Sequence, residues 1–519
     1  MSLFFLGASQ LQLAPLPGSG DLAMIWPVVI VALAFLLLMV EDALFSRPSA
    51  SMAGYITALT GVFLAILATL WEWFYNTPKV FGFGEGVAYD LSLAGDHLGQ
   101  FFGLIILVTA LVSILLSRGY LGRRRLSAPE YYALMLAATA GMQLLAGALD
   151  LIVIFLGIEL LSISLYVLSA YGRDDTRSQE AGLKYLILGG MASAVLLYGM
   201  ALVFGSTGHT VLPLIHATLA YAASQGQAPG TLLIAGMALI LVGFAFKISA
   251  APFHVWTPDV YQGAPMSVTM FMSVATKVAA FAALIRLFEV TFGGIATYWY
   301  PLMAGVAIMS MLWGNIAALT QSSIKRMLAY SGIAQAGYML IGVAVATQQS
   351  VTAVLFYLAA YAVTNLGAFA VLTAMSNGTE DIDSYDGIRG LAYRRPYVAV
   401  ALCIFMLSLA GFPPTVGFLG KFLVFQAAVG SPHLWLAIYG AVMSAVALVY
   451  YLRVAILVFM PAADGVEVDW PQTGLVAGGV LSVAAVATLV LGMIGTLLLD
   501  PAAIAANGNA IVGFVAHLL

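Results

Sequence analysis

Charge is scarce in this 519-residue chain. Lys, Arg, Asp and Glu supply 8% of it and hydrophobic residues 62%, whereas an ordinary soluble domain carries roughly 25% charged residues. A mean hydropathy of +1.02 is more apolar surface than a water-soluble core can hide. The composition therefore excludes a soluble enzyme and requires a polytopic membrane protein. Cysteine is nearly absent: Cys403 alone rules out an internal disulfide and a cysteine-ligated metal cluster. The first twenty residues lack the basic start of a secretory signal and read as a short tail before the first span. "GFGEG" at 82–86 does not match a dinucleotide fingerprint and has no strand–helix context. His209 and His216 share a loop with no third ligand, which speaks against a metal site. With no nucleophile–base pair, phosphate loop or haem ligand set, the chain carries no visible redox chemistry of its own.

What the sequence does have is long apolar runs. A bilayer core of ~30 Å takes about 20 apolar residues per helix. Fourteen runs of that order, α1 to α14, lie at 22–41, 54–75, 98–117, 131–149, 151–171, 180–206, 230–263, 266–290, 300–320, 327–346, 350–376, 397–430, 434–460 and 474–498. Two of them, α7 and α12, are too long for one straight crossing, and both contain proline. The basic residues are distributed one-sidedly. Loops after odd-numbered helices hold Arg47, Arg123, Arg124, Arg125, Arg173, Arg177, Lys325, Arg326, Arg389, Arg394 and Arg395, and those after even-numbered helices hold Lys79. By the positive-inside rule the odd loops face the cytoplasm and both termini lie on the opposite side.

A few ionisable residues remain at depth: Glu159 in α5, Lys247 in α7, Lys277 in α8 and Lys421 in α12. Lys184 lies just inside the cytoplasmic end of α6. Arg286 and Arg453 stand near helix ends and read as snorkelling anchors. A charge at mid-bilayer costs at least ~2.5–3.5 kcal/mol, so each deep residue is expected to face protein or water. One reading is a structural ion pair, Glu159 with a lysine. It leaves two deep lysines without a carboxylate. A lysine desolvated in this way can gain and lose a proton near neutral pH, so several of them form a proton relay. Pro252 and Pro258 follow Lys247, and Pro413 and Pro414 precede Lys421. Prolines free carbonyls that need partners, and paired broken helices in two halves of a chain point to an ion pathway. Five helices separate the two breaks, an odd shift that reverses direction, so α4–α8 and α9–α13 read as inverted repeats. Gln335 of α10 stands opposite Glu159 of α5 in that scheme, which makes the halves chemically unequal. His254, after the α7 break, either passes protons between Lys247 and Lys277 or caps freed backbone.

These residues carry a family resemblance. "GIELLSISLYVLSAY", "EAGLKYLILGG", "FKISAAPFHVWTPDVYQGAP", "SIKRMLAYSGIAQAGYMLIG" and "AGFPPTVGFLGKF" resemble the antiporter-like subunits of respiratory complex I (NDH-1), over roughly residues 130–455. The resemblance favours the branch with Phe271 where other branches carry histidine, with lysine rather than glutamate in α12, and without a long lateral helix. It implies an all-α polytopic membrane protein with two inverted five-helix repeats. The expected divisions are helices α1–α3 in 1–130, a first repeat in 131–290, a second in 300–460, and a final helix and tail in 461–519. It implies that Glu159 modulates Lys247, that Lys277 connects the two half-channels, and that Lys421 lies toward the outer exit. Lys184 and His254 would be accessory. The implied function is proton pumping coupled to electron transfer from NADH or ferredoxin to quinone. No cofactor is expected in this chain; NAD(H), FMN, Fe–S clusters and quinone belong to partner subunits. Those partners would include small subunits resembling A, J and K, and antiporter-like subunits L and M. The expected location is a bacterial inner membrane, with both termini periplasmic; a thylakoid membrane is the alternative. A Mrp-type cation/proton antiporter or membrane-bound hydrogenase subunit is the competing function. A purely structural subunit would leave the lysines and broken helices without a purpose.

Overall fold

The computed structural model describes residues 25–44, 50–75, 79–82, 91–126, 129–377, 381, 383–461 and 470–507. The N-terminal tail, Arg47, residues 83–86 of the glycine-rich motif and the last twelve residues lie outside these. Each of the fourteen apolar runs coincides with a helix or a broken pair of helices. The helices are α1 (Trp26–Leu44), α2 (Ala50–Tyr75), α3 (His97–Arg124), α4 (Pro129–Gly147), α5 (Leu151–Ser169) and α6 (Thr176–Thr207). Next come α7a (Thr231–Lys247), α7b (Trp256–Gly263), α8 (Met266–Leu284), α9 (Ala296–Leu319), α10 (Ile324–Val345) and α11 (Gln348–Met375). The chain continues through α12a (Pro396–Ala410), α12b (Val416–Val429), α13 (Leu434–Leu457) and α14 (Leu475–Met493). By length and hydropathy, 11 of the described helical segments can cross a bilayer unaided, and α7a, α12a and α12b are shorter apolar helices.

Local chemistry marks the helix ends. Asp96, Asp150 and Asp175 are N-caps of α3, α5 and α6, each accepting from a backbone N–H of the first turn. Thr347 and Ser350 form a reciprocal capping box at the start of α11. Elsewhere the all-helical expectation is incomplete. Lys79–Gly82 and Leu91–Gly95 pair as a short antiparallel ladder. The stretch read as a loop after α6 contains a helix, Leu212–Ser224. A further helix, Thr496–Asn507, follows α14 and packs on α3 and α11.

Burial separates centre from rim. The apolar stretch around α8 is 100% buried and those of α10 and α11 are 94% buried, against 22% for α1 and 11% for α14. The central trio is therefore surrounded by protein, and a lysine on α8 has no route to lipid. Small residues bring the helices close. A Cβ on Gly141 would sit 2.7 Å from the Leu161 nitrogen, so α4 and α5 touch along their backbones.

Candidate functional site

Both proline-containing runs break where their sequences require it. In α7 the chain leaves the helix at Lys247 and resumes at Trp256. The carbonyl of Phe246 accepts from the Trp256 indole at 3.1 Å, and the Ala251 N–H donates to Ser310 Oγ at 2.8 Å. In α12 the break runs from Gly411 to Thr415, and Lys421 itself donates to the Ala410 carbonyl at 3.0 Å. Freed backbone is thus satisfied from inside the protein, as depth in a bilayer demands.

The three deep lysines are buried: Lys247 and Lys421 are 4% exposed and Lys277 is 1% exposed. None of them forms an ion pair among the described residues. Lys247 donates to Ser162 Oγ of α5 at 2.6 Å and lies 5.8 Å from the Tyr166 ring centroid. Lys277 donates to the Gly332 carbonyl of α10 at 2.5 Å and lies 5.4 Å from the Tyr361 ring. Lys421 adds a bond to Ser444 Oγ of α13 at 2.9 Å and sits 4.9 Å from the Tyr338 ring. Carbonyl, hydroxyl and aromatic faces accept an ammonium without fixing its charge as a carboxylate would.

Glu159 stands one turn before Ser162 on α5, but its carboxylate is not the hydrogen-bond acceptor of Lys247. Its Oε1 is buried and has no hydrogen-bond partner. The expected pair is therefore replaced in direct contact by Lys247–Ser162, with the carboxylate beside it. Lys184 has side-chain exposure of 41% and pairs with Glu180 and Asp259, both at 2.7 Å, while Arg326 holds the other oxygen of Asp259 at 2.7 Å. It belongs to a charge cluster at the basic end of the bundle. His254 is buried with its ring 5.8 Å from that of Trp313, and its Nδ1 has no hydrogen-bond partner. Trp256 and Ser310 supply side-chain caps to the α7 break, and His254 contacts the Pro252 backbone within it.

Between Lys277 and Lys421 runs a polar network that the sequence did not reveal. Ser331, next to Gly332, bonds the Tyr451 hydroxyl at 2.5 Å. Gln335 Nε2 donates to that hydroxyl at 3.1 Å and to the Leu409 carbonyl at 3.0 Å. Its Oε1 accepts from the Tyr357 hydroxyl. Leu409 precedes Ala410, whose carbonyl Lys421 holds. Asn315 links Tyr338, whose ring Lys421 faces, to Tyr450 at 3.0 and 2.9 Å. No corresponding chain of side-chain hydrogen bonds joins Lys247 to Lys277 among the described residues. Replacing Gln335 by leucine is expected to leave the Tyr357 hydroxyl buried without an acceptor, at about 1–3 kcal/mol. A lower thermal midpoint of the assembled protein, together with slower proton transfer, would report it; unchanged values for both would contradict the network's role.

Other charged residues depart from the sequence reading. Arg286, expected to snorkel, is fully buried in the π-helical segment Ile285–Thr291 and grips Asp96 through two bonds of 2.9 and 2.6 Å. Glu72, 3% exposed in α2, and Glu289, in the π segment, are further deep carboxylates; Glu72 Oε1 and both oxygens of Glu289 are buried without hydrogen-bond partners. Both lie close to the edge of an apolar run, where a sequence assigns them to the interface. Lys325, expected in a loop, is buried and donates to Asp381 at 3.0 Å and the Ala264 carbonyl at 2.9 Å. Burial alone would raise the Asp381 carboxyl, but Lys325 beside it holds it below the usual carboxylate range. The stabilisation from this pair is thus present above the unfolded value of about 3.9 and is lost as pH falls through the lower folded value. His216 donates through Nδ1 to the Val290 carbonyl at 2.8 Å, and among the described residues no His, Cys, Asp and Glu group could hold a metal ion.

Residues 148–447 match the family described as NADH:quinone oxidoreductase/Mrp antiporter, a transmembrane family. NADH-quinone oxidoreductase subunit N of Trichlorobacter lovleyi is 44% identical over 423 residues, 81% of this chain and 86% of that one. The subunit N of Chloroflexus aggregans is 42% identical over 481 residues, 91% of this chain and 95% of that one. Among solved structures, a chain of respiratory complex I from Thermus thermophilus is 34% identical with a TM-score of 0.78, covering 93% of this chain and 100% of that one. A chain of the Mrp complex from Dietzia shares the fold at 24% identity, with a TM-score of 0.83 and coverage of 96% and 99%. The chain belongs to the antiporter-like membrane-subunit family of NADH:quinone oxidoreductases and Mrp antiporters, on its subunit N branch.

Proposed function

We infer that the chain is the subunit N of a quinone-reducing respiratory complex and moves protons across the membrane through Lys247, Lys277 and Lys421. The observation that carries this reading is the placing of three buried lysines, none held by a carboxylate, at two helix breaks and one central helix. Each ammonium has neutral acceptors, so protonated and neutral states differ little in packing. Glu159 biases Lys247 through space, Lys277 hands protons toward the Ser331–Tyr451–Gln335 network, and Lys421 receives them. Lys184 and its carboxylate neighbours stand at the entrance, and His254 is an accessory group beside the α7 break.

The basic end faces the cytoplasm in this reading, both termini face the opposite side, and the membrane is a bacterial inner membrane. Residues 131–290 and 300–460 act as two inverted halves around Lys277. NADH, or ferredoxin, delivers electrons through partner subunits that carry FMN and Fe–S clusters, and quinone is reduced there as well. The membrane partners are small subunits of the A, J and K type and antiporter-like subunits of the L and M type. The subunit N relatives and the wording TPDVYQGAP with Lys277 support this over a Mrp-type exchanger. Sodium-driven transport without quinone reduction by the purified assembly would reverse that choice.

Replacing Glu159 by glutamine is expected to lower proton pumping several-fold while electron transfer falls less. The check is simultaneous measurement of acidification and quinone reduction by membrane vesicles containing the assembled complex. Equal loss of both activities would contradict the modulating role.

A further inference from the structure

We propose that a groove at the basic end of the bundle is a binding site for one anionic phospholipid. The groove holds about 580 Å³ between Tyr55 of α2, the last turns of α3, the end of α11 and the segment entering α14. Its walls are largely apolar, through Leu115, Leu116, Leu475 and Val476. Two guanidinium groups line it, those of Arg118 and Arg123. Neither forms an ion pair among the described residues, whereas Arg124 and Arg326 at the same end are paired with Asp175 and Asp259.

The two arginines are held in place by neutral contacts. Arg118 lies 5.2 Å above the Tyr55 ring centroid and is exposed. Arg123 uses Nη2 to bond the Thr373 carbonyl at 3.0 Å, while its Nε is buried and has no hydrogen-bond partner. Two guanidinium groups that line one groove without a carboxylate partner among the described residues suit an anion, and phosphate matches the planar fork of arginine.

The surroundings favour a lipid over a soluble anion. The groove opens along α14, whose Leu475 is 97% exposed and whose apolar stretch is 11% buried, so it is continuous with the hydrocarbon region. It lies where α3 and α11 end and α14 begins, at the end of the bundle that carries the arginine-rich turns. Basic pockets between transmembrane helices on that side are where anionic headgroups are held. A headgroup phosphate would sit between Arg118 and Arg123, with acyl chains along Leu115, Leu116 and Leu475. Such a lipid would cement α14 to α2 and α3, a role independent of the proton pathway.

The test uses the assembled complex in nanodiscs of phosphatidylcholine containing a photoactivatable phosphatidylglycerol. Adducts are expected on residues 115–123 and 472–477, competed by unlabelled phosphatidylglycerol but not by extra phosphatidylcholine or inorganic phosphate. Arg118→Gln is expected to lower labelling about fivefold, the attraction of one arginine for an anionic headgroup. Equal competition by phosphatidylcholine, or displacement by inorganic phosphate, would overturn the proposal. So would cross-linking of the groove to another subunit in place of lipid. The adduct map of the unsubstituted complex decides the question even if the variant does not assemble.

Discussion

Replacing Asp96 by asparagine is expected to cost about 3–5 kcal/mol of stability, because it strands the buried charge of Arg286. Both side chains are 0% exposed, and two bonds of 2.6 and 2.9 Å join them. Arg286 Nε also donates to the Ala146 carbonyl at 3.2 Å, so the guanidinium ties the ends of α3, α4 and α8 together. Asparagine can still cap the Gly99 N–H that Asp96 accepts at 2.8 Å, so the loss isolates the charge from the cap. The double variant Asp96→Leu/Arg286→Met removes both charges at once. It is expected to recover most of the loss, since apolar replacement of a whole buried pair is often neutral. Thermal inactivation and the yield of assembled complex check both outcomes. Wild-type behaviour of Asp96→Asn, or a double variant worse than the single, would show that the pair does not clamp these helices.

Replacing Lys277 by methionine is expected to slow proton translocation through this chain about a hundredfold or more, the scale of removing one positioned proton-transfer group. Methionine keeps the length of the side chain and suits the fully buried face of α8. The Gly332 carbonyl loses its second donor but keeps its bond within α10, so the cost is about 0.5–1.5 kcal/mol. The variant should therefore assemble and still bury α8 while failing to pass protons. Dye-monitored acidification, normalised to assembled complex, measures it. Retention of the wild-type rate would remove Lys277 from the pathway.

Much of the architecture was legible because a bilayer leaves few alternatives. A run of about 20 apolar residues must satisfy its backbone internally, so it must be helical. Proline in the middle of such a run then favours a break, and Pro252 and Pro413–Pro414 stand in the breaks of α7 and α12, whereas Pro301, near the start of α9, is held within the helix. Deep lysines were equally visible, since a charge inside an apolar run is costly and a single ion pair with Glu159 would account for only one of the three. Their partners were not. Ser162 and Ser444 resemble every other serine in these helices, and which one faces an ammonium depends on how α5 and α13 are rotated. The Gln335, Tyr357 and Tyr451 network is not legible in the sequence because buried tyrosines read as part of the apolar surface. Arg286 departs from expectation because its proximity to a helix end suggests water, whereas its partner Asp96 lies 190 residues earlier. Lys325 departs from expectation similarly, as its helix starts at Ile324, three residues before the expected 327, and Asp381 pairs with it. Hydropathy locates charges along a chain but does not indicate which of them meet.

The most direct test of the central claim is the number of protons moved per quinol formed, in closed liposomes containing the assembled complex. The comparison is between the unsubstituted chain and the separate Lys277→Met and Lys421→Met variants. If these buried lysines carry protons, the ratio falls in both variants while quinone reduction continues. An unchanged ratio in complexes of normal composition would mean that protons cross elsewhere, and that the lysines serve the fold alone.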